Sequence, residues 1–199
     1  FNQLSSIDLL QRLAIESHDI EKIHYYIRNA MVAGEKIERI IGFTRDYEDF
    51  GIVSSGWERI YSIISSATNE VTLHAITIEN MVPENLEIYV DPIIRKVFTT
   101  LIENAVRHGG QITGIWFFCE NRGLELVIVC EDDGTGIPDE EKEKVFEHGF
   151  GTHTGIGLFL AREILSITGL SIQECGSYGS GARFEILVPK EKFRLPGII

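Results

Sequence analysis

From residue 20 onward the apolar positions fall on a helical beat. Ile20, Ile23, Ile27, Ala30, Gly34, Ile37, Ile41 and Thr44 are separated by alternating steps of three and four, with Glu, Lys and Arg filling much of the remainder. This is an a/d seam, and it predicts one long helix over 20–47 that buries a narrow stripe against another helix. Ser17 or Asp19 can cap its start. The small residues Ala30 and Gly34 favour close helix–helix packing over the alternative, an amphipathic helix lying on its own domain. Upstream, Phe1, Leu4, Ile7, Leu10 and Leu13 recur by threes, a spacing that drifts around a helix and holds no stripe. The first helix is also about half the length of its partner, at ~1.5 Å per residue. The failing phase predicts that Ile7 and Asp8 are not true neighbours and that roughly five helical turns separate them in the intact hairpin.

After the hairpin, Phe50–Trp57 contains Gly51, Ser54, Ser55 and Gly56 and reads as a linker. Trp57–Ala67 is expected as a helix. Thr72–Asn80 and Leu86–Val90 alternate as strands on either side of a turn at Pro83 and Asn85. Pro92 suits the first turn of a helix over Ile93–His108. Ile112–Glu120 and Leu124–Glu131 form a hairpin across Asn121-Arg122-Gly123. Gly155–Thr168 is a helix stopped by Gly169, and Leu170–Glu174 with Ala182–Val188 complete a strand pair. Helices mixed with strand hairpins predict an α+β fold: a mixed sheet packed against helices, preceded by an α-helical hairpin that forms a dimeric four-helix bundle. The expected division is a hairpin over 1–50, its first helix incomplete, and a second domain over 51–199.

Composition narrows the functional classes. With 44% hydrophobic and 24% charged residues the 199-residue chain has ample material for a core. Its net charge of −12 excludes a nucleic-acid binder, which needs a basic face for the phosphates. An acidic protein still binds a nucleotide through backbone N–H groups, a divalent metal and a few local cations. Cys119, Cys130 and Cys175 are widely spaced and read as buried, reduced thiols in strands of a cytoplasmic protein. No apolar run approaches the ~18–20 residues of a membrane span. The chain starts at Phe1 without Met and is expected to be a fragment, so any membrane attachment belongs to parts outside it.

The chemistry concentrates in four segments: Leu101-Ile102-Glu103-Asn104-Ala105-Val106-Arg107-His108, Glu131-Asp132-Asp133-Gly134-Thr135-Gly136-Ile137-Pro138, Val145-Phe146-Glu147-His148-Gly149-Phe150 and Gly151-Thr152-His153-Thr154-Gly155-Ile156-Gly157-Leu158. Asp132 ends a strand, and Gly134 and Gly136 let the backbone turn and approach a flat ring closely. A buried carboxylate there accepts a hydrogen bond from an exocyclic amine, which separates adenine from guanine. An ordinary D-x-G-x-G turn is the bland alternative. Gly155 and Gly157 open a helix whose unpaired N–H groups suit a phosphate chain. The side-chain carbonyl of Asn104 is a hard-cation ligand, and Arg107 and His108 lie one turn further along, either near phosphate or as a solvated helix end.

In this order and spacing the four segments resemble the N, G1, F and G2 boxes of the histidine-kinase ATP-binding domain, of the superfamily shared with gyrase and MutL ATPases. Gly179-Ser180-Gly181-Ala182-Arg183-Phe184 resembles that family's closing hairpin, so the likeness covers about residues 57–190. The resemblance implies ATP and Mg²⁺ as ligands, with Asn104 on the metal and Asp132 on adenine. It implies a nucleotide site drawn also from Arg107, His108, Gly134, Gly136, His153, Thr154, Gly155, Ile156, Gly157 and Leu158. Glu103 is the candidate to orient the nucleophile or tune the metal, beside the alternative of a surface Glu. Phe146 and Phe150 are expected to anchor the lid. The chain departs from the family where many members carry a second Asn, here Thr100, and where His153 takes the first place of the glycine triplet. Residues 37–51 resemble the second hairpin helix of kinases common in archaea. The phosphoacceptor of such kinases is a His on the first helix followed by an acid. His18-Asp19 is the one such pair upstream, at the start of the second helix; the expected acceptor lies outside these residues, and the alternative is a shortened hairpin with His18 as acceptor or with none. The expected function is a homodimeric histidine kinase that passes phosphoryl to a response-regulator receiver domain. Two readings stay open beside it: an ATP-binding module without a working acceptor, and an ATPase or protein-serine kinase of the same superfamily, against which the heptad helix speaks.

Overall fold

A computed structural model describes residues 2–17, 19–31, 34, 54–73, 76–147, 149–150 and 156–196. The chain divides into two units, Phe1–Ile52 and Val53–Ile199.

In the first unit, α1 spans Asn2–Glu16 and α2 covers residues 20–31. Asp19 caps α2: its Oδ1 accepts from the N–H groups of Glu21 (3.0 Å) and Lys22 (3.4 Å). The two helices face each other across an apolar groove lined by Ile7, Ala14, Ile23, Ile27 and Ala30. α1 runs continuously through Ile7 and Asp8. Continuous i→i−4 hydrogen bonding carries the helix across a point where the apolar phase drifts, since backbone geometry does not depend on stripe alignment. The seam beyond residue 34 lies outside the described residues.

The second unit is built from β1 (Gly56–Arg59), α3 (Ile60–Glu70), β2 (Thr77–Asn80), β3 (Glu87–Val90), α4 (Ile94–His108), β4 (Gly114–Arg122), β5 (Glu125–Asp132), α5 (Gly157–Ile167), β6 (Ser171–Glu174), β7 (Arg183–Pro189) and β8 (Phe193–Arg194). Its main sheet has the order β2-β4-β5-β7-β6, and a small sheet has the order β1-β3-β8. β2 pairs parallel with β4, while β4-β5, β5-β7 and β7-β6 are antiparallel, so the sheet is mixed as expected. α4 packs between α3 and α5. Phe98 of α4 meets Phe117 of β4 edge to face at 6.0 Å, both fully buried, in the core between helices and sheet.

One expected helix begins elsewhere. Trp57 and Glu58 lie in β1, which pairs with β3 so that Trp57 faces Tyr89, and α3 starts only at Ile60. The alternation from Gly56 to Arg59 is a strand pattern, but four residues are too few to announce it without the partner strand. The strand expected over Thr72–Asn80 is confined to Thr77–Asn80. At the start of α4, Asp91 Oδ1 accepts the Ile93 N–H at 3.0 Å, with Pro92 following the capping carboxylate.

Candidate functional site

β5 ends at Asp132 and so delivers a carboxylate to the mouth of the sandwich. Asp132 is 6% exposed. Its Oδ1 accepts from the N–H of Gly134 at 2.9 Å and of Ala182 at 3.1 Å. Both of these bonds go to one oxygen, Oδ1, and fix the side chain. Burial pushes the Asp132 carboxyl above its ordinary value, and the two backbone donors pull it partly back. The loop after it requires glycine twice. Gly136 has φ 68, and a Cβ there would come within 2.8 Å of the carbonyl oxygens of Gly181 and Ser177. Gly181 has φ 111, and a Cβ there would overlap the Asp132 carbonyl oxygen.

A cavity of about 420 Å³ opens beside this carboxylate, within the range of roughly 300–1,000 Å³ for cofactor sites. Glu103, Asn104, Arg107 and His108 line it from α4, Asp132 and Gly136 from the β5 end, and Ile156, Gly157 and Leu158 from the start of α5. Gly134 supports the wall by its hydrogen bond to Asp132. Arg107 Nη2 lies 3.9 Å from Glu103 Oε1. Nine of the residues singled out in the sequence therefore meet in one place. His18, His153, Thr154 and Gly155 lie outside the described residues.

α5 begins at Gly157 with no side-chain cap at Ile156, so its first N–H groups lack helical partners. Thr100, where the second Asn was sought, is buried and lines the cavity. A Cβ on Gly157 would come within 2.9 Å of Thr100 Cγ2, so α4 and α5 approach closely at this pair. Among the described residues no three His, Cys, Asp or Glu side chains form a metal cage. The donor set present fits a cation that takes few protein oxygens and completes its shell from a phosphate ligand.

Phe146, expected as a lid anchor, is packed into the domain. It is 2% exposed and meets Phe184 edge to face at 6.1 Å, with the Arg162 guanidinium 4.1 Å from its centroid. Phe150 lines the cavity. Sequence reasoning missed Glu141, which also lines it. Nothing in the spacing of the acid-rich 139–143 stretch singles that residue out. Asp133 is exposed but tied down, its carboxylate accepting from the N–H groups of Thr113 and Gly114 and from the Thr113 hydroxyl; these bonds hold it below the ordinary range. One other reading, that of Cys175, is corrected: this thiol is exposed and follows β6, whereas Cys130 is buried in β5.

The fold and this cavity define a nucleotide-binding sandwich. A family model of histidine kinase-, DNA gyrase B- and HSP90-like ATPases matches residues 90–192, and the chain belongs to that family. The alginate biosynthesis sensor protein KinB of Pseudomonas aeruginosa is 34% identical over 101 residues, 48% of this chain and 17% of KinB. The chain thus spans a small part of this relative's length. Among solved structures, the mycobacterial sensor histidine kinase MprB shares the fold with a TM-score of 0.61 at 18% identity, over 68% of this chain and 97% of that one. Histidine kinase ThkA, solved in complex with the response regulator protein TrrA, superposes with a TM-score of 0.58 at 20% identity over 95% of this chain and 58% of that one. The hairpin thus also falls within the shared fold.

Proposed function

We propose that this chain is the kinase core of a sensor histidine kinase that binds Mg²⁺-ATP and transfers its γ-phosphoryl group to a histidine, from which a response-regulator aspartate receives it. The observation that carries the reading is Asp132, anchored through one oxygen and presenting the other to a cavity that Asn104 lines from α4. Asp132 Oδ2 accepts the adenine amine. Asn104 ligates Mg²⁺ together with phosphate oxygens. The N-terminus of α5 receives the phosphate chain through its positive dipole end, assisted by Arg107 and His108. Catalysis rests on positioning and on neutralising charge, with Glu103 at the cavity wall orienting the nucleophile. The Phe1–Ile52 unit supports homodimerisation: Leu9, Ile15, Ile20, Ile27 and Met31 remain 47–83% exposed, which a second copy would cover. A receiver-domain partner is supported by the complex of ThkA with TrrA. Among the described residues no helix is long and apolar enough to cross a membrane.

The test is incubation with γ-labelled ATP and Mg²⁺ followed by acid treatment. Label that is lost in acid and stable in base marks phosphohistidine, and acid-stable label sinks the reading. A second reading is favoured by one observation: α1 carries no histidine and runs without a break. In that reading the chain binds ATP but holds no acceptor of its own, and it gives nucleotide binding without label.

A further inference from the structure

β6 alternates exposed and buried, and the alternation puts Glu174 on the core face, opposite Phe184 of β7. An acidic side chain there is costly unless it is bonded. Glu174 Oε1 accepts from the N–H of Gly176 at 2.9 Å and of Arg183 at 3.1 Å. Asp132 Oδ1 accepts from the N–H of Gly134 and of Ala182. Two carboxylates therefore use the same device, each bonding the amide two residues ahead and one of the adjacent amides Ala182 and Arg183. Between them the Gly181–Arg183 backbone is gripped from both sides. Gly176 is packed so tightly against it that a Cβ would lie within 2.6 Å of the Gly181 carbonyl oxygen.

The second oxygen of Glu174 is buried without a hydrogen-bond partner among the described residues. Lys142 Nζ stands 3.9 Å from it and donates to the Gly176 carbonyl at 2.7 Å. Lys142 belongs to the turn that leads into Phe146, so it ties this buried carboxylate to that turn. Burial pushes the Glu174 carboxyl up, the two amides and Lys142 pull it back, and the negative charge of Asp132 adds to the rise.

Resting on the reading of the cavity as an adenine nucleotide site, we infer that Glu174 is a positioning residue for base recognition: with Lys142 it fixes the Gly181–Arg183 backbone whose Ala182 amide orients Asp132 toward the ring. Glu174 touches no ligand. Removing it frees Ala182 to shift, and the aim of Asp132 Oδ2 loosens.

The experiment compares ADP with inosine diphosphate, which carries an oxygen in place of the exocyclic amine, by titration against the whole chain. Partial unfolding weakens both ligands equally and leaves their affinity ratio unchanged, so the ratio reads positioning rather than stability. Glu174→Val should lower the ADP preference by about tenfold, the scale of one hydrogen bond lost. Glu174→Gln keeps an acceptor for both amides and should restore the preference to within about twofold of wild type. Lys142→Met should lower it in the same direction, and decides the matter if the valine variant does not fold. A wild-type ratio in Glu174→Val, or in Lys142→Met when the valine variant is unfolded, overturns the inference. A wild-type chain that shows no ADP preference overturns the adenine reading itself, and the inference with it.

Discussion

Asp132 and Ala182 are bonded to each other twice. The Asp132 N–H donates to the Ala182 carbonyl at 3.0 Å, and the Ala182 N–H donates to Asp132 Oδ1 at 3.1 Å. The pair closes the end of the β5-β7 ladder and locks the carboxylate with the same residue. The proposed base recognition would thereby be built on a sheet end instead of on a loop, which limits how far Oδ2 can wander.

Asp132→Asn exchanges a charged acceptor for an amide that both donates and accepts. ATP binding should weaken by about 1–3 kcal/mol, as for a lost hydrogen bond to a charged group. Unchanged affinity in calorimetry would defeat the assignment. The pH dependence has a defined sign. Burial raises the Asp132 pKa from 3.8, so the fold favours the protonated carboxyl and gives up that stabilisation as pH rises through the raised value. The ligand amine needs the ionised form. Nucleotide affinity should therefore fall as pH is lowered through a point above 3.8, and the Asn variant should show no such fall.

Asn104 lines the cavity from α4 and stands outside the buried core. Asn104→Ala should abolish most Mg²⁺-dependent phosphoryl transfer while leaving the melting temperature within a few degrees, about 2–4 °C for ~1 kcal/mol. Full transfer in the variant would show that Asn104 is not the ligand.

Gly181→Ala tests the close approach beneath the site. The residue has φ 111, and its Cβ would strike the Asp132 carbonyl oxygen. Strain of about 1–3 kcal/mol corresponds to a melting temperature lower by roughly 2–12 °C, together with weaker nucleotide binding. A variant as stable as wild type would show that the backbone yields freely here.

Glu185 is 2% exposed on β7 and receives Arg122 through both its oxygens, at 2.6 and 2.7 Å, with Arg183 Nε at 2.9 Å. Arg122 is the first cause that holds its carboxyl well below the ordinary 4.5, followed by Arg183. A depressed folded pKa contributes stability above 4.5 and loses it as pH falls below that value. Glu185→Gln should cost about 1–3 kcal/mol at pH 7, toward the lower end because Arg122 is 44% exposed and screened. Urea unfolding at several pH values checks this: the difference between the two proteins should shrink as pH falls below 4.5.

Ile27 lines the hairpin groove and is 47% exposed. Ile27→Asp should place an unpaired charge in the seam between copies, at a cost of several kcal/mol. Sedimentation should then show a monomer where the unaltered chain is a dimer. A monomeric unaltered chain at high concentration would reject the bundle.

The sequence by itself determined the elements whose signal is local. The β4-β5 hairpin and α4 announce themselves by turn residues and period, because each satisfies its backbone within a short stretch. The order of Asn104, Asp132 and Gly157 likewise named the cavity walls before any contact was known. Tertiary structure decided the rest. Gly56–Arg59 becomes a strand only because β3 supplies the other half of its ladder. The parallel pairing of β2 with β4 joins segments that α4 separates. Glu141 and Lys142 sit side by side in an acid-rich turn with no periodicity, yet one lines the cavity and the other reaches Glu174. Glu174 looks like a surface acid in one dimension. Its register against Phe184 turns it inward, and only neighbours far along the chain, at Arg183 and Lys142, supply the partners that make its burial tolerable.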